Sequence, residues 1–379
     1  MKILFMPYAS KSGTWGCVVN MLAIAKEARR RGHEVLFDAC PPGARLLTGN
    51  GFSVREFEGA VAATTPAAIT DIYDVFDTLG LAETSYWDYL MDREVSLIRE
   101  FGPDAVVVDM RPTASVSASR CGVPLVAMAC VGTDPRRQRS GGHMLDDLAR
   151  RIAGEHSDIQ VESFPELLFW TADRKVSPSF ARFEPSLQDV PGLGYVGYLE
   201  DVGAHGLDGL PPRPERLVLA YLSTVGWNSD LMVRSLAHSA ELADVNIWCV
   251  TNANGRTTQV SDRLRLFDYL PLDALLPESH GILFHGGQGT ALGTLFHGVP
   301  SVACPGQHYE RRYNANRLQE LGCGVHASVM DLRPGRLSKS LHRIVTDPNF
   351  GLNASAARAD LRSLPGSAGA VDIIESVAR

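Results

Sequence analysis

The feature that most limits how this chain can fold is the run from Gly281 to Pro300. Gly281-Ile282-Leu283-Phe284 is uninterrupted apolar sequence of strand length, and His285-Gly286-Gly287-Gln288-Gly289-Thr290 follows it directly. Ala291 to Phe296 then predicts a helix that ends at Gly298 and stops at Pro300. Strand, glycine turn and helix in immediate succession direct free backbone N–H groups, and the positive end of a helix dipole, at an anion. Gly287 and Gly289 let a phosphate approach the backbone, and Thr290 adds a hydroxyl. His285 falls at the carboxyl end of the strand, where open α/β sheets bind their ligands. The chemistry predicted for this turn is diphosphate binding.

The rest of the chain supplies a sheet for such a turn. Lys2 to Tyr8 is an apolar run, and Val18, Met21, Leu22, Ala25 and Ala28 keep helical spacing before a stop at Gly32. Glu34–Asp38, Ala105–Asp109 and Pro124–Ala129 continue as strands, and a β-α-β opening of this kind implies a parallel sheet. Residues 60–100 and 135–180 have no clear period. Gly192 to Pro214, rich in Gly and Pro, predicts a linker, after which Leu217–Leu222 and Val245–Val250 restart a sheet. Pro334–Val345, Ala354–Arg362 and the apolar-periodic tail Ala368–Ala378 predict helices. With 379 residues and 45% hydrophobic content, two cores fit. The expected division is residues 1–205, completed by a last helix at 364–379, and residues 206–363.

Composition removes several functions. A net charge of −7 and a pI near 5.9 argue against a nucleic-acid partner. Seven cysteines are dispersed with no C-x-x-C pair, which predicts no metal centre and reduced thiols. The opening Met1–Met6 is too short for a signal peptide, and no apolar run has membrane-spanning length. A cytoplasmic α/β protein is expected.

The flanks of the turn narrow the reading. Phe267-Asp268-Tyr269-Leu270-Pro271 to Leu275-Leu276-Pro277 precedes it. Gly298-Val299-Pro300, Pro305, Glu310-Arg311-Arg312-Tyr313-Asn314-Ala315 and Gly322-Cys323-Gly324 follow. In this order and spacing the stretch resembles the donor-binding signature of GT-B glycosyltransferases, specifically the UDP-glycosyltransferase and antibiotic glycosyltransferase family. The resemblance implies two Rossmann-like domains facing each other across a cleft, with an N-terminal acceptor side and a C-terminal donor side. It places the donor on His285, Gly287, Gln288, Gly289 and Thr290, and on Thr224 and Gly226 at an earlier strand end. Tyr269 and Leu270 would meet the base, and Glu310 and Arg311 stand where the family holds its sugar with Asp-Gln. Arginine for glutamine, and one extra residue after Pro305, depart from the family pattern. Gly13, Trp15 and Trp87 fall in the acceptor regions, although Trp87 taken alone fits packing onto a helix better.

A second departure concerns catalysis. The family's general-base histidine lies in the first loop, and here that position is Cys17, preceded by Gly16; no histidine occurs before His33. Asp109 at a strand end and Asp134 in Gly132-Thr133-Asp134 remain as base, as does Cys17 if its pKa is depressed at a helix start; alternatively the acceptor is an amine, thiol, carboxylate or electron-rich arene that needs little activation. Asp109 and Asp134 are the favoured pair. The sequence contains no Asp-x-Asp triplet, so leaving-group stabilisation without metal is expected.

The expected activity is therefore inverting transfer of a deoxyhexose or hexose from a dTDP- or UDP-sugar to a small natural-product acceptor, in an enzyme of the hexosyltransferase class. No cofactor is expected beyond the nucleotide-sugar co-substrate. Homodimerisation stays open. The rival reading is a non-catalytic auxiliary or pseudoenzyme partner of a glycosyltransferase, motivated by the missing histidine.

Overall fold

The computed structural model describes the chain except residues 9, 11–14, 62–67, 82, 139–141, 201–206, 223–229, 252–256 and 379, and the side chains of Trp15, Thr84 and His156. The described residues form two compact units. One comprises Met1–Leu199 with Leu364–Arg379, the other Glu200–Ser363.

The first unit is built on a seven-stranded sheet. Its strands are β1 (Lys2–Met6), β2 (Glu34–Ala39), β3 (Ser53–Glu56), β4 (Ala105–Val108), β5 (Leu125–Met128), β6 (Arg174–Ser177) and β7 (Leu193–Tyr195). All pairings are parallel, in the order β3-β2-β1-β4-β5-β6-β7. The four residues of β4 and of β5 are buried on both faces, so these strands read as continuous apolar runs rather than alternating ones. Order reverses between β1 and β4, the place where the carboxyl ends of two strands diverge.

Two parts of this unit differ from the sequence expectation. The span 60–100, which shows no clear period, contains the helix Thr84–Phe101. Its buried stripe is Trp87, Leu90, Met91, Glu94, Val95 and Ile98, a helical spacing that a glutamate in the middle disguises. The predicted linker begins too early: Leu193–Tyr195 is the edge strand β7, pairing with β6. The glycine within it has a packing role, since a Cβ on Gly194 would lie 2.6 Å from Cδ1 of Ile373 on the last helix, Gly366–Val377. That helix buries Ala370, Val371 and Ile374 in the same cluster as Ile3, Phe5 and Met21. Arg31 fastens it further, with Nη1 2.6 Å from Asp372.

The second unit repeats the plan with β8 (Leu217–Tyr221), β9 (Asn246–Val250), β10 (Thr258–Ser261), β11 (Leu264–Phe267), β12 (Gly281–Phe284), β13 (Ser301–Ala303) and β14 (Gly324–His326). The order is β10-β11-β9-β8-β12-β13-β14, parallel except for the antiparallel pair of β10 with β11. Helices Pro334–Thr346 and Pro348–Arg362 occupy the spans where the sequence predicts helices. Here the reversal falls between β8 and β12, so the turn at His285 emerges at the switch point. No helix among the described residues is long and apolar enough to cross a membrane.

Candidate functional site

Helix Gln288–His297 begins immediately after β12, and its N-cap is Gly287 with no side-chain cap. The turn depends on Gly286. Its φ is 85°, and a Cβ there would approach the carbonyl oxygen of Arg311 to 2.8 Å. Gly287 has a different role, since a Cβ on it would lie 2.7 Å from Nε2 of His285. Gly289 is different again. It is exposed, and a Cβ there would meet nothing within 4 Å. The fold therefore has no need of glycine at 289, and the space a side chain would take there is open. The first intrahelical bond of this helix is Ala291 N–H to the Gly287 carbonyl, 3.0 Å, which leaves the three preceding amides outside the helical ladder. One of them, Gln288 N–H, donates to the carboxylate of Glu310. Those of Gly289 and Thr290 are the remaining first-turn amides of the helix.

The following helix, Tyr309–Glu320, lays its first turn against this helix end. Asn314, buried, donates from Nδ2 to the Gly286 carbonyl at 2.9 Å and lies 3.5 Å from the Glu310 carboxylate. Burial pushes the Glu310 carboxyl up, opposed by Arg311, Asn314 and the Gln288 amide. His285 is buried, and its Nδ1 lies 3.3 Å from the Tyr221 carbonyl, so the ring spans the β8/β12 switch point. Burial first, and the Arg311 charge second, hold the His285 pKa down at about 4, so the ring is neutral at pH 7. With Nδ1–H donating to Tyr221, Nε2 carries a lone pair on the side of Gly287.

The other predicted donor residues separate. Leu270 is buried, whereas Tyr269 is 57% exposed. Thr224 and Gly226 lie outside the described residues. The motif glycine that most shapes the turn, Gly286, was visible in the sequence only as part of the motif; its positive φ supplies the reason. His308, the N-cap of helix Tyr309–Glu320, carried no sequence signal of its own.

The switch point of the first unit gathers Tyr8, Cys17, Cys40 and Asp109. Burial raises the Tyr8 phenol well above its ordinary range, and the two thiols and Asp109 add to the shift. Cys40 donates to the Ser10 carbonyl at 3.2 Å. Asp109 follows β4 directly, and the next residue, Met110, has φ 55°. Behind them a fully buried Arg111 donates 2.5 Å to Asp38 and 2.6 Å to Glu94, and Glu94 also accepts from Thr113 and Ser117. This network was not foreseen: it joins residues far apart in sequence and has no spacing that announces it. Gly13 lies outside the described residues, and Trp15 opens the helix Trp15–Arg30.

Two predicted site residues are corrected. Asp134 is completely buried; it caps its own turn by accepting from Arg136 N–H at 3.0 Å and pairs with the Arg136 guanidinium at 2.9 Å. A carboxylate so committed has no lone pair directed at a substrate, so Asp134 is a structural group. Trp87 is likewise a core side chain, completely buried, with its indole N–H donating 2.6 Å to the Leu81 carbonyl.

Comparison with known proteins bears on both units. Residues 234–377 match the family model described as erythromycin biosynthesis protein CIII-like, C-terminal domain. The match is to a C-terminal domain and includes the helix end described above. Over its whole length it is 25% identical to 3-alpha-mycarosylerythronolide B desosaminyl transferase of Saccharopolyspora erythraea, covering 98% of that protein. It is 24% identical over its whole length to aclacinomycin-T 2-deoxy-L-fucose transferase of Streptomyces galilaeus, covering 96% of it. Among solved structures, the glycosyltransferase VinC in complex with dTDP superposes with a TM-score of 0.76 at 22% identity, covering 100% of this chain and 99% of that one. The glycosyltransferase of kitacinnamycin gives 0.78 at 20% identity, covering 99% and 98%. The fold is therefore that of the GT-B natural-product glycosyltransferases, two parallel-sheet α/β domains in one chain.

Proposed function

We propose that this EryCIII-like chain is a nucleotide-sugar-dependent hexosyltransferase that moves a deoxyhexose from a dTDP- or UDP-sugar to a small natural-product acceptor. The observation that carries this reading is the open helix end at 288–290, set at the switch point of the second sheet, with an exposed glycine the fold does not require. The named activities of the similar proteins, desosaminyl transfer to 3-alpha-mycarosylerythronolide B and 2-deoxy-L-fucose transfer to aclacinomycin T, favour a deoxyhexose and a polyketide-sized acceptor.

On this reading the amides of Gly289 and Thr290, with the partial positive charge of the helix end, hold the diphosphate and stabilise it as it leaves. Glu310 has two of its acceptor positions engaged by Gln288 and Asn314, and the remaining ones are available to sugar hydroxyls. The acceptor oxygen attacks the anomeric carbon from the face opposite the leaving diphosphate, so configuration inverts. Its proton goes to Asp109, which stands at the carboxyl end of β4; Cys17 and Tyr8 share that neighbourhood, and the raised Tyr8 pKa disqualifies the phenol as base. No metal step is invoked, in keeping with the absence of an Asp-x-Asp triplet from the sequence.

The test is turnover of dTDP- and UDP-hexoses against a panel of macrolide and aromatic polyketide aglycones, read by glycoside mass and released nucleotide. Asp109→Asn is expected to lower turnover by about 10²- to 10⁴-fold while leaving nucleotide affinity unchanged. Undiminished turnover in that variant would move the base elsewhere. Nucleotide binding without turnover on any aglycone, together with activation of a second glycosyltransferase, would favour the auxiliary reading.

A further inference from the structure

The first turn of helix Tyr309–Glu320 holds two groups that the reading above leaves idle. Arg311 is largely withdrawn from water, yet among the described residues its guanidinium makes no hydrogen bond and no ion pair. Its neighbour in sequence, Glu310, attracts it, but successive residues on a helix project in different directions, and the Glu310 carboxylate is engaged by Gln288 and Asn314. Burial consequently depresses the Arg311 pKa instead of a partner raising it, the reverse of Arg111 and Arg136. The second group is His308. Its Nδ1 is buried with no hydrogen-bond partner, and the ring stacks on Tyr309 with centroids 5.5 Å apart.

These two groups lie beside the phosphate turn. The Arg311 carbonyl and Cβ stand 2.8 and 3.3 Å from the position a Cβ on Gly286 would take, so the arginine is rooted directly against the turn. His308 feels the charges of Arg311 and His285 and is held near pKa 3 chiefly by burial. Among the described residues, a guanidinium without a hydrogen bond and an imidazole nitrogen without a partner thus lie beside the turn that leads into the helix end at Gln288. Leaving a half-buried cation and a buried polar atom without partners is unfavourable unless something else supplies them.

We propose that Arg311 and His308 are part of the phosphate grip: the guanidinium takes diphosphate oxygens and His308 Nδ1 donates to one of them, so that the departing nucleoside diphosphate is held between two helix ends. This rests on the donor-site reading above and deepens it. It also reassigns Arg311, which by resemblance stands at the sugar, to the leaving group. Arginine suits that role because its planar fork matches two phosphate oxygens at once.

The test compares calorimetric binding of dTDP, thymidine monophosphate and thymidine to the full-length protein and to the Arg311→Gln and His308→Gln variants. Both variants are expected to fold, shown by unchanged circular dichroism, since neither side chain has a hydrogen bond to lose among the described residues. Arg311→Gln is expected to weaken dTDP by about tenfold or more, thymidine monophosphate less, and thymidine not at all. His308→Gln is expected to act in the same order with a smaller factor. Equal affinity of wild type and both variants for dTDP would overturn the grip while leaving the donor site standing. Uniform weakening of all three ligands would overturn it too, since it would mark a structural role. Wild-type protein that binds no nucleoside diphosphate at all would overturn the donor-site reading and this inference together.

Discussion

The two sheets reverse strand order in the same way, yet their switch points are finished differently. At the β1/β4 reversal, Arg111 is buried with both of its carboxylate partners, and Glu94 collects two further hydroxyl donors. The charges are balanced within the protein. At the β8/β12 reversal, a helix end carries no side-chain cap, Arg311 has no ion-pair partner among the described residues, and His308 keeps an unsatisfied nitrogen. Among the described residues, the same topology therefore supplies one sheet end whose buried charges are paired and another whose Arg311 and His308 lack hydrogen-bond partners. The contrast separates polar groups that serve the fold from those that serve a ligand, which burial alone does not do.

That contrast can be broken by mutation. The largest effect is expected at the complete end. Arg111→Ala leaves the buried Glu94 with hydroxyl donors but no cation and Asp38 with Arg93 alone, and the expected loss is about 3–5 kcal/mol, read by urea unfolding. A loss under about 1 kcal/mol would mean that the first network is not the structural anchor described. A smaller effect is expected from acid at the open end. His285 titrates near 6.5 when unfolded and near 4 when folded, so between those values only the unfolded chain takes up the proton. The stability is therefore fully present above pH 6.5 and is lost as pH falls toward 4, by on the order of 2 kcal/mol between pH 7 and pH 5. Urea unfolding followed against pH should show this slope on top of the one that His308 adds in the same direction, and His285→Gln should reduce it by that amount; an unchanged slope would locate the acid sensitivity elsewhere. The smallest effect on the fold, and the sharpest on binding, belongs to Gly289→Ala. Stability should change by less than about 0.5 kcal/mol, because the methyl meets no atom, while dTDP affinity should fall by about tenfold as the methyl intrudes on the phosphate. Unaltered affinity would mean that no phosphate approaches that amide.

Much of the fold was legible from the sequence because both sheets are parallel and covered on both faces. Ile282–Phe284, Ala105–Val108 and Leu217–Tyr221 announce themselves as apolar runs, and Gly298 and Pro300 punctuate the helix between strands. The helix Thr84–Phe101 was not legible, since Glu94 interrupts its apolar stripe and only its contact with Arg111 explains the glutamate. The edge strand β7 was hidden by Gly194, whose missing side chain makes room for Ile373 from nearly two hundred residues later in the chain.

The site divides along the same line. Sequence by itself determined the strand, the glycine turn and the helix end, because local spacing and backbone conformation suffice for these. It also determined the absence of a histidine from the opening loop. Only the tertiary structure decided that Asp134 is tied to Arg136, that Trp87 belongs to the core, and that Arg111 is satisfied whereas Arg311 is not. The reason is physical: whether a charged or polar side chain is available to a ligand depends on which partners reach it across the fold. Partners brought together from distant parts of a chain leave no periodic trace in its sequence.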